Sequence, residues 1–168
     1  TEGIDLNGGS DANTIRNSKL TGSTSEGVRF STNSGSNGAH VFYNNFLNNS
    51  GTNGNIYFYA RPQNNTWNTT EQTGTRIHGA GVNIGGNFWT NSTGGYSENC
   101  ADNDYDGFCD LPYDILNDSA CSGATCSNNT DYLPLSLGYD ATNPGIYFIT
   151  PPTPVNNTLQ SDNWAQVN

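Results

Sequence analysis

The 168-residue chain predicts an all-β protein: a parallel β-helix of about three coils, a disulfide-rich calcium-binding cap, and a trailing C-terminal strand. Three observations carry that prediction. The composition disfavours helices, a strand-like alternation recurs at a near-constant interval, and the four cysteines and densest run of acids fall together after the repeat ends. Hydrophobic residues make up only 32 % and charged residues 12 %. The bulk is uncharged and polar, with 27 Asn, 34 Ser plus Thr and 20 Gly, types that compete with or weaken a helical backbone and favour turns. Nine Tyr, seven Phe and three Trp supply large apolar surfaces, which argues against a chain that stays unfolded.

The repeat is read in order along the chain. Gly3-Ile4-Asp5-Leu6 is answered by Gly27-Val28-Arg29-Phe30 and by Asn55-Ile56-Tyr57-Phe58, each apolar-polar-apolar, the period of a strand burying one face. A second element follows each copy: Asn13-Thr14-Ile15-Arg16, then Ala39-His40-Val41-Phe42, then Asn65-Thr66-Trp67-Asn68, which spaces Ile15, Val41 and Trp67 by 26 residues. Clusters of Gly, Asn and Ser between the elements are turns. Two or more short strands per period with no helix between them describe coils stacking in parallel. Ile4, Val28 and Ile56 are expected in one interior column, Leu6, Phe30 and Phe58 in a second, and Ile15, Val41 and Trp67 in a third, with Asn side chains stacked as amide ladders at the turns. A β-sandwich also shows alternation and frequent turns, but has no reason to keep a fixed interval.

The expected division is coils over 1–90, an acidic cysteine-containing cap over 91–140, and a strand segment over 141–168. That last segment, with Gly145-Ile146-Tyr147-Phe148-Ile149 at its head, is too short to be an independent sheet.

Within the cap, Asp102-x-Asp104-x-Asp106-Gly107-x-x-Asp110 sets alternate carboxylates on a tight loop, the pattern that gathers hard oxygens for calcium. The expected ligands are Asp102, Asp104, Asp106, the Phe108 carbonyl, and Asp110 or Asp114. Position 12 of the run is Tyr113 rather than a bidentate Glu, and Cys109 and Pro112 argue against the flanking helices of an EF-hand. A solvated acidic turn is the plain alternative. Cys100, Cys109, Cys121 and Cys126 in an acidic, exported-looking chain point to disulfides. Of three connectivities, the local pairs Cys100–Cys109 and Cys121–Cys126 are expected; a four-cysteine zinc site is the rival, against which stands the lack of C-x2-C spacing.

Function classes narrow from charge. Five basic against fifteen acidic residues give a net charge of −10, which removes the footprint needed for nucleic acid or an anionic membrane surface. No stretch approaches the roughly 20 apolar residues of a membrane span, and Thr1 to Gly9 contain neither a basic nor an apolar signal region; the chain begins without Met, so a processed or excerpted product is expected. Seven N-x-[ST] sequons, at Asn48, Asn64, Asn68, Asn91, Asn117, Asn128 and Asn156, fit a secreted, glycosylated surface.

Taken in order, the coil pattern from Gly3 to Ile15, Asn65-Thr-Trp67-Asn68-Thr-Thr, Gly85-Gly-Asn-Phe-Trp89, Asp102 to Asp110, Leu111-Pro-Tyr-Asp-Ile115 and Asn129-Thr-Asp-Tyr-Leu-Pro-Leu135 resemble the NosD-like family of parallel β-helix proteins found in archaeal cell-surface and secreted proteins. The resemblance implies a right-handed β-helix closed at its C-terminal end by an acidic loop, and a following segment, here Gly145 to Asn168, that opens an immunoglobulin-like sandwich. The family bears a copper-binding label. Copper favours imidazole, thiolate and thioether ligands, yet the chain has no Met, and His40 and His78 are far apart in sequence; no residue here matches a copper site.

Many β-helices process polysaccharides. Glycoside hydrolysis needs two carboxyls roughly 5 to 9.5 Å apart, whereas the coils outside the cap hold only Glu2, Asp5, Asp11, Glu26 and Glu71. Asp5 and Arg29 share an outward register and are expected to form a weak ion pair between coils. Exposed Tyr57, Tyr59 and Trp89 suit sugar stacking, with packing under loops as the plainer role. The expectation is therefore a non-catalytic extracellular structural protein of the cell surface that self-assembles as a homo-oligomer or filament, sheath or surface layer by strand addition, stabilised by calcium and glycans. A polysaccharide-binding or polysaccharide-processing protein is the alternative.

Overall fold

The structure is a computed structural model that describes residues 2–7, 12–31, 40–59, 65–118, 120–121 and 129–137. Its regular elements are almost all short strands, as a chain rich in Asn, Ser, Thr and Gly requires. Three parallel stacks form the body. In the first, β1 (Ile4–Leu6), β4 (Val28–Phe30) and β7 (Ile56–Phe58) pair in strict register, and β12 (Ala120–Cys121) adds to β7. In the second, β2 (Thr14–Arg16) pairs with β5 (Val41–Tyr43), which Thr66 extends by a single parallel bridge. In the third, β3 (Lys19–Thr21), β6 (Phe46–Asn48) and β10 (Phe88–Thr90) run side by side. The chain visits the three stacks in turn and then returns to the first.

Two of the expected columns stand as read: Ile4, Val28 and Ile56 are register partners, as are Leu6, Phe30 and Phe58. The third is shifted by one residue in its middle member. Val41 pairs with Thr14 and Thr66, whereas Ile15 pairs with Phe42. The interior column is therefore Ile15, Phe42 and Trp67, with Phe42 buried and its ring stacked on Trp67 at 4.4 Å. An aromatic ring gains more from that interior than Val would, and a one-residue slip turns Val41 to the other face. Phe30 and Phe58 stack likewise at 5.0 Å. Each such side chain contributes about 1.5–3 kcal/mol by leaving water.

The turns between stacks are closed by asparagines. Asn17 and Asn44 both take the left-handed conformation, with φ of 54° and 51°, and Asn44 Nδ2 donates to Asn17 Oδ1 at 2.7 Å. A buried pair, Asn45 and Asn87, bonds at 2.9 Å, and Asn49 bonds to Asn55 at 3.2 Å. These ladders also bond backbone groups of the neighbouring coil, including Ile15 O, Ser18 N, Leu20 O and Ser23 N. The amide-ladder expectation is thus met by side chains with specific backbone partners.

An excursion interrupts the third period. β8 (Gln72–Thr73) and β9 (Asn83–Ile84) form a small antiparallel pair between Trp67 and β10. After β10 come the one-turn helix α1 (Tyr96–Asn99), the acidic loop, β11 (Tyr113–Asp114), a 3-10 turn over Ile115–Asp118, and β13 (Thr130–Asp131), antiparallel to β11. A second cluster of Phe88, Phe108 and Leu135 fastens this region to the outer side of β10. The segment 141–168 lies outside the described residues.

Candidate functional site

The acidic loop is built by its own backbone. Tyr105 and Gly107 have φ of 58° and 93°, turning the chain tightly enough that oxygens of Asp102, Asp104 and Asp106 lie within 4.8 Å of one another. Asp106 accepts from Phe108 N at 2.7 Å, and Asp104 from Asp106 N at 3.5 Å. Asp102 Oδ2 accepts from Gly107 N at 3.1 Å and from the Ser136 hydroxyl. Its Oδ1 is buried and has no hydrogen-bond partner, which is costly for a carboxylate oxygen. Burial raises the Asp106 carboxyl above its ordinary value; the Phe108 amide opposes this, while Asp104, Asp102 and Glu71 add to it.

The other expected ligands are placed differently. Asp110 turns toward Asn103, accepting from its backbone N at 3.2 Å and from its side-chain amide. Asp114 Oδ1 accepts from Leu116 N at 3.0 Å and opens the 3-10 turn. Among the described residues only Asp102, Asp104 and Asp106 form a three-carboxylate group. The Phe108 side chain is buried with Phe88 and Leu135.

Cys100 and Cys109 form a disulfide that closes the loop's two flanks. Cys121 lies in β12, and Cys126 falls outside the described residues. The loop is also tied to the excursion by buried Arg76, whose guanidinium donates to Gly107 O at 2.7 Å, Ser136 O at 3.0 Å and Ala80 O at 2.9 Å. The sequence marked neither Arg76 nor Ser136 and assigned Asp131 no role beyond its place in the 129–135 motif, because their key partners lie more than 30 residues away along the chain.

Asp131 anchors the cap to the stacks. Fully buried, it accepts from Asn87 N at 2.8 Å, Trp89 Nε1 at 2.8 Å, Asn87 Nδ2 at 3.1 Å and Leu133 N at 3.1 Å. Burial pushes its carboxyl up to about 7 against the pull of these donors. Close by, Trp67 Nε1 donates to Asn129 Oδ1 at 2.9 Å.

The remaining expected residues sort as follows. Arg29 lies beside Asp5 in register, but its guanidinium pairs with Glu2 at 3.0 Å and approaches Glu26 at 3.9 Å, so the expected Asp5 ion pair is replaced by these two. Trp89 is buried in the core rather than exposed. Tyr59 is 43 % exposed, edge-to-face with Tyr57 at 6.1 Å and under Arg29 at 5.5 Å. Of the sequons, Asn48 ends β6, Asn117 is in the 3-10 turn, and Asn68 and Asn91 lie in loops. Asn64, Asn128 and Asn156 fall outside the described residues. No described helix is long and apolar enough to cross a membrane.

A family model described as "Periplasmic copper-binding protein (NosD)" matches residues 1–94, the span that holds all three parallel stacks except β12. No curated protein and no solved structure matches the chain. With more than half its length matched and its strands in parallel register, the chain belongs to the NosD family.

Proposed function

We propose that the chain is a non-catalytic extracellular structural protein, a right-handed parallel β-helix of about three coils whose copies join into a filament, sheath or surface layer. The observation that carries this reading is the in-register parallel stacking of β1, β4 and β7, with half-buried Ile4, Ile15 and Leu20 packed against the core. Strands stacked in this way take up a further strand through main-chain hydrogen bonds and apolar flanks. The proposed donor is the apolar segment 145–149 of a second copy. Sedimentation and electron microscopy of the native protein, with and without residues 145–168, test it. Assembly that needs the segment supports the reading; a truncated chain that still polymerises, or a full chain that stays monomeric at high concentration, overturns it.

The cap is proposed to bind calcium through Asp102, Asp104 and Asp106. The unpartnered Asp102 Oδ1 and three hard oxygen donors favour such an ion. The copper in the family's description does not fit the described residues. His40 is packed against Phe30 and Phe42 with Nδ1 accepting from Asn13 N, His78 lies against Phe46 and Phe88, and Cys100 and Cys109 are bonded to each other. Calcium at a hundredfold excess over Kd is expected to add about 2.7 kcal/mol of stability. A melting curve indifferent to chelator would refute the site.

The non-catalytic reading is supported by the groove beside β3 and β6, which is lined by Thr, Ser, Asn and Gly, without carboxylate, imidazole or thiol. The Tyr57, Tyr59 and Arg29 patch favours polysaccharide binding as a second reading, tested by titrating soluble glycans against a Tyr59→Ala variant.

A further inference from the structure

We propose that Asn91 is an acceptor of an N-linked glycan, and that the fold selects it over Asn48 and Asn68. This rests on the reading of the chain as an exported glycoprotein. The sequence offers these sequons as equals; their local geometry separates them. In Asn91-Ser92-Thr93 the Asn side chain folds back on its own sequon, with Oδ1 accepting from Thr93 N at 2.9 Å and from Thr93 Oγ1 at 2.8 Å. Both bonds fall on the oxygen, and Nδ2 has no hydrogen-bond partner among the described residues. Ser92 and Thr93 are exposed.

That arrangement suits the chemistry. The nitrogen of a carboxamide is a poor nucleophile because its lone pair is delocalised onto oxygen. Donors on Oδ1 stabilise the negative charge that collects there as Nδ2 gives up a proton. With a polyprenyl-diphosphate-linked sugar as co-reactant, the Nδ2–C1 bond forms and the C1–O bond to the diphosphate breaks. The bonding pair leaves with the lipid diphosphate, and the Nδ2 proton passes to a base of the transferase.

The other two sequons lack these features. Asn48 ends an extended strand, and its sequon hydroxyl, Ser50 Oγ, instead accepts from Ser92 N at 2.8 Å. Asn68 has both ends engaged, with Oδ1 accepting from Tyr132 N at 3.3 Å and Nδ2 donating to Thr69 O at 3.2 Å. There is also room at Asn91. It lines an open groove of about 230 Å³ with Asn49 and Asn55. Across Ser50 and Ser92 this continues into one of about 640 Å³ bounded by Thr21, Ser23 and Asn48. Uncharged hydroxyls and amides suit the first sugars.

The test is peptide mapping by electron-transfer mass spectrometry on protein purified from the cells that make it. Expected is a peptide in which Asn91 carries the sugar mass while Asn48 and Asn68 are bare. A Thr93→Ala variant made in the same cells should lose that mass, and Thr93→Ser should keep it. Asn91 found bare while another sequon carries glycan overturns the selection and leaves the glycoprotein reading standing. All sequons bare overturns both. Because the wild-type map decides the question, a variant that fails to accumulate does not.

Discussion

Replacing Asn87 by Ala should remove about 4 kcal/mol of folding stability, the lower part of a range set by three orphaned backbone groups at about 1–3 kcal/mol each. Asn87 is fully buried. Its Oδ1 accepts from Asn45 N at 3.2 Å and Asn45 Nδ2 at 2.9 Å, and its Nδ2 donates to Phe42 O at 3.1 Å, Trp67 O at 2.6 Å and Asp131 Oδ2 at 3.1 Å. Truncation strips the Asn45 amide of its acceptor and two carbonyls of this donor. The lower part of the range applies because a carbonyl tolerates a lost donor better than an N–H tolerates a lost acceptor. Asn87→Asp keeps the shape but turns an oxygen toward two carbonyls and the Asp131 carboxyl, so it should be no more stable than the Ala variant. Asn48→Ala, at the outward end of β6, should stay within about 0.5 kcal/mol of wild type. Urea unfolding followed by the fluorescence of buried Trp67 and Trp89 gives all three values. A loss below about 1 kcal/mol for Asn87→Ala, or a wild-type-like Asn87→Asp, would show that packing rather than hydrogen bonding holds this corner.

Stability should fall as pH rises through 7. Asp131 titrates near 7 when folded against an ordinary 3.8, so its contribution is fully present below the unfolded value and lost above the folded one, about 4 kcal/mol in all by linkage; denaturant midpoints from pH 4 to 8 should show this slope, and Asp131→Asn should lack it. Gly86→Ala should destabilise by several kcal/mol, roughly the cost of overpacking a closed core, because a Cβ there would fall against Leu133 O and Asp131 Oδ1; a melting temperature equal to wild type would contradict that packing.

Much of the architecture was legible because a strand's two faces alternate with period two, and stacked strands repeat that alternation at the spacing of one full circuit. Ile4, Val28 and Ile56 could therefore be aligned without coordinates, as could Leu6, Phe30 and Phe58. The third stack was not legible. Lys19 pairs with Phe46, but Phe46 pairs with Phe88 only after the β8–β9 excursion has stretched the interval, and a broken interval is no longer a repeat. The slip at Val41 has a similar origin, since Val41 and Phe42 are both apolar and alternation alone does not say which of two adjacent residues faces inward.

At the cap, local spacing sufficed for whatever the chain brings together over a few residues. Asp102, Asp104 and Asp106 converge because they alternate through one tight turn, and Cys100 meets Cys109 across the same loop. Asp110 belongs to the same run, yet its carboxylate is taken by Asn103. Which oxygen of Asp102 is left without a donor depends on Ser136, from a segment 34 residues away. Strand content, the period of the stack and the acidic loop are readable along the chain because they follow from near-neighbour sterics and patterning. The joining of cap to stack through Asp131, Asn87 and Trp89, and of cap to excursion through Arg76, is not, because buried polar groups choose partners by proximity in the folded interior, where water no longer competes.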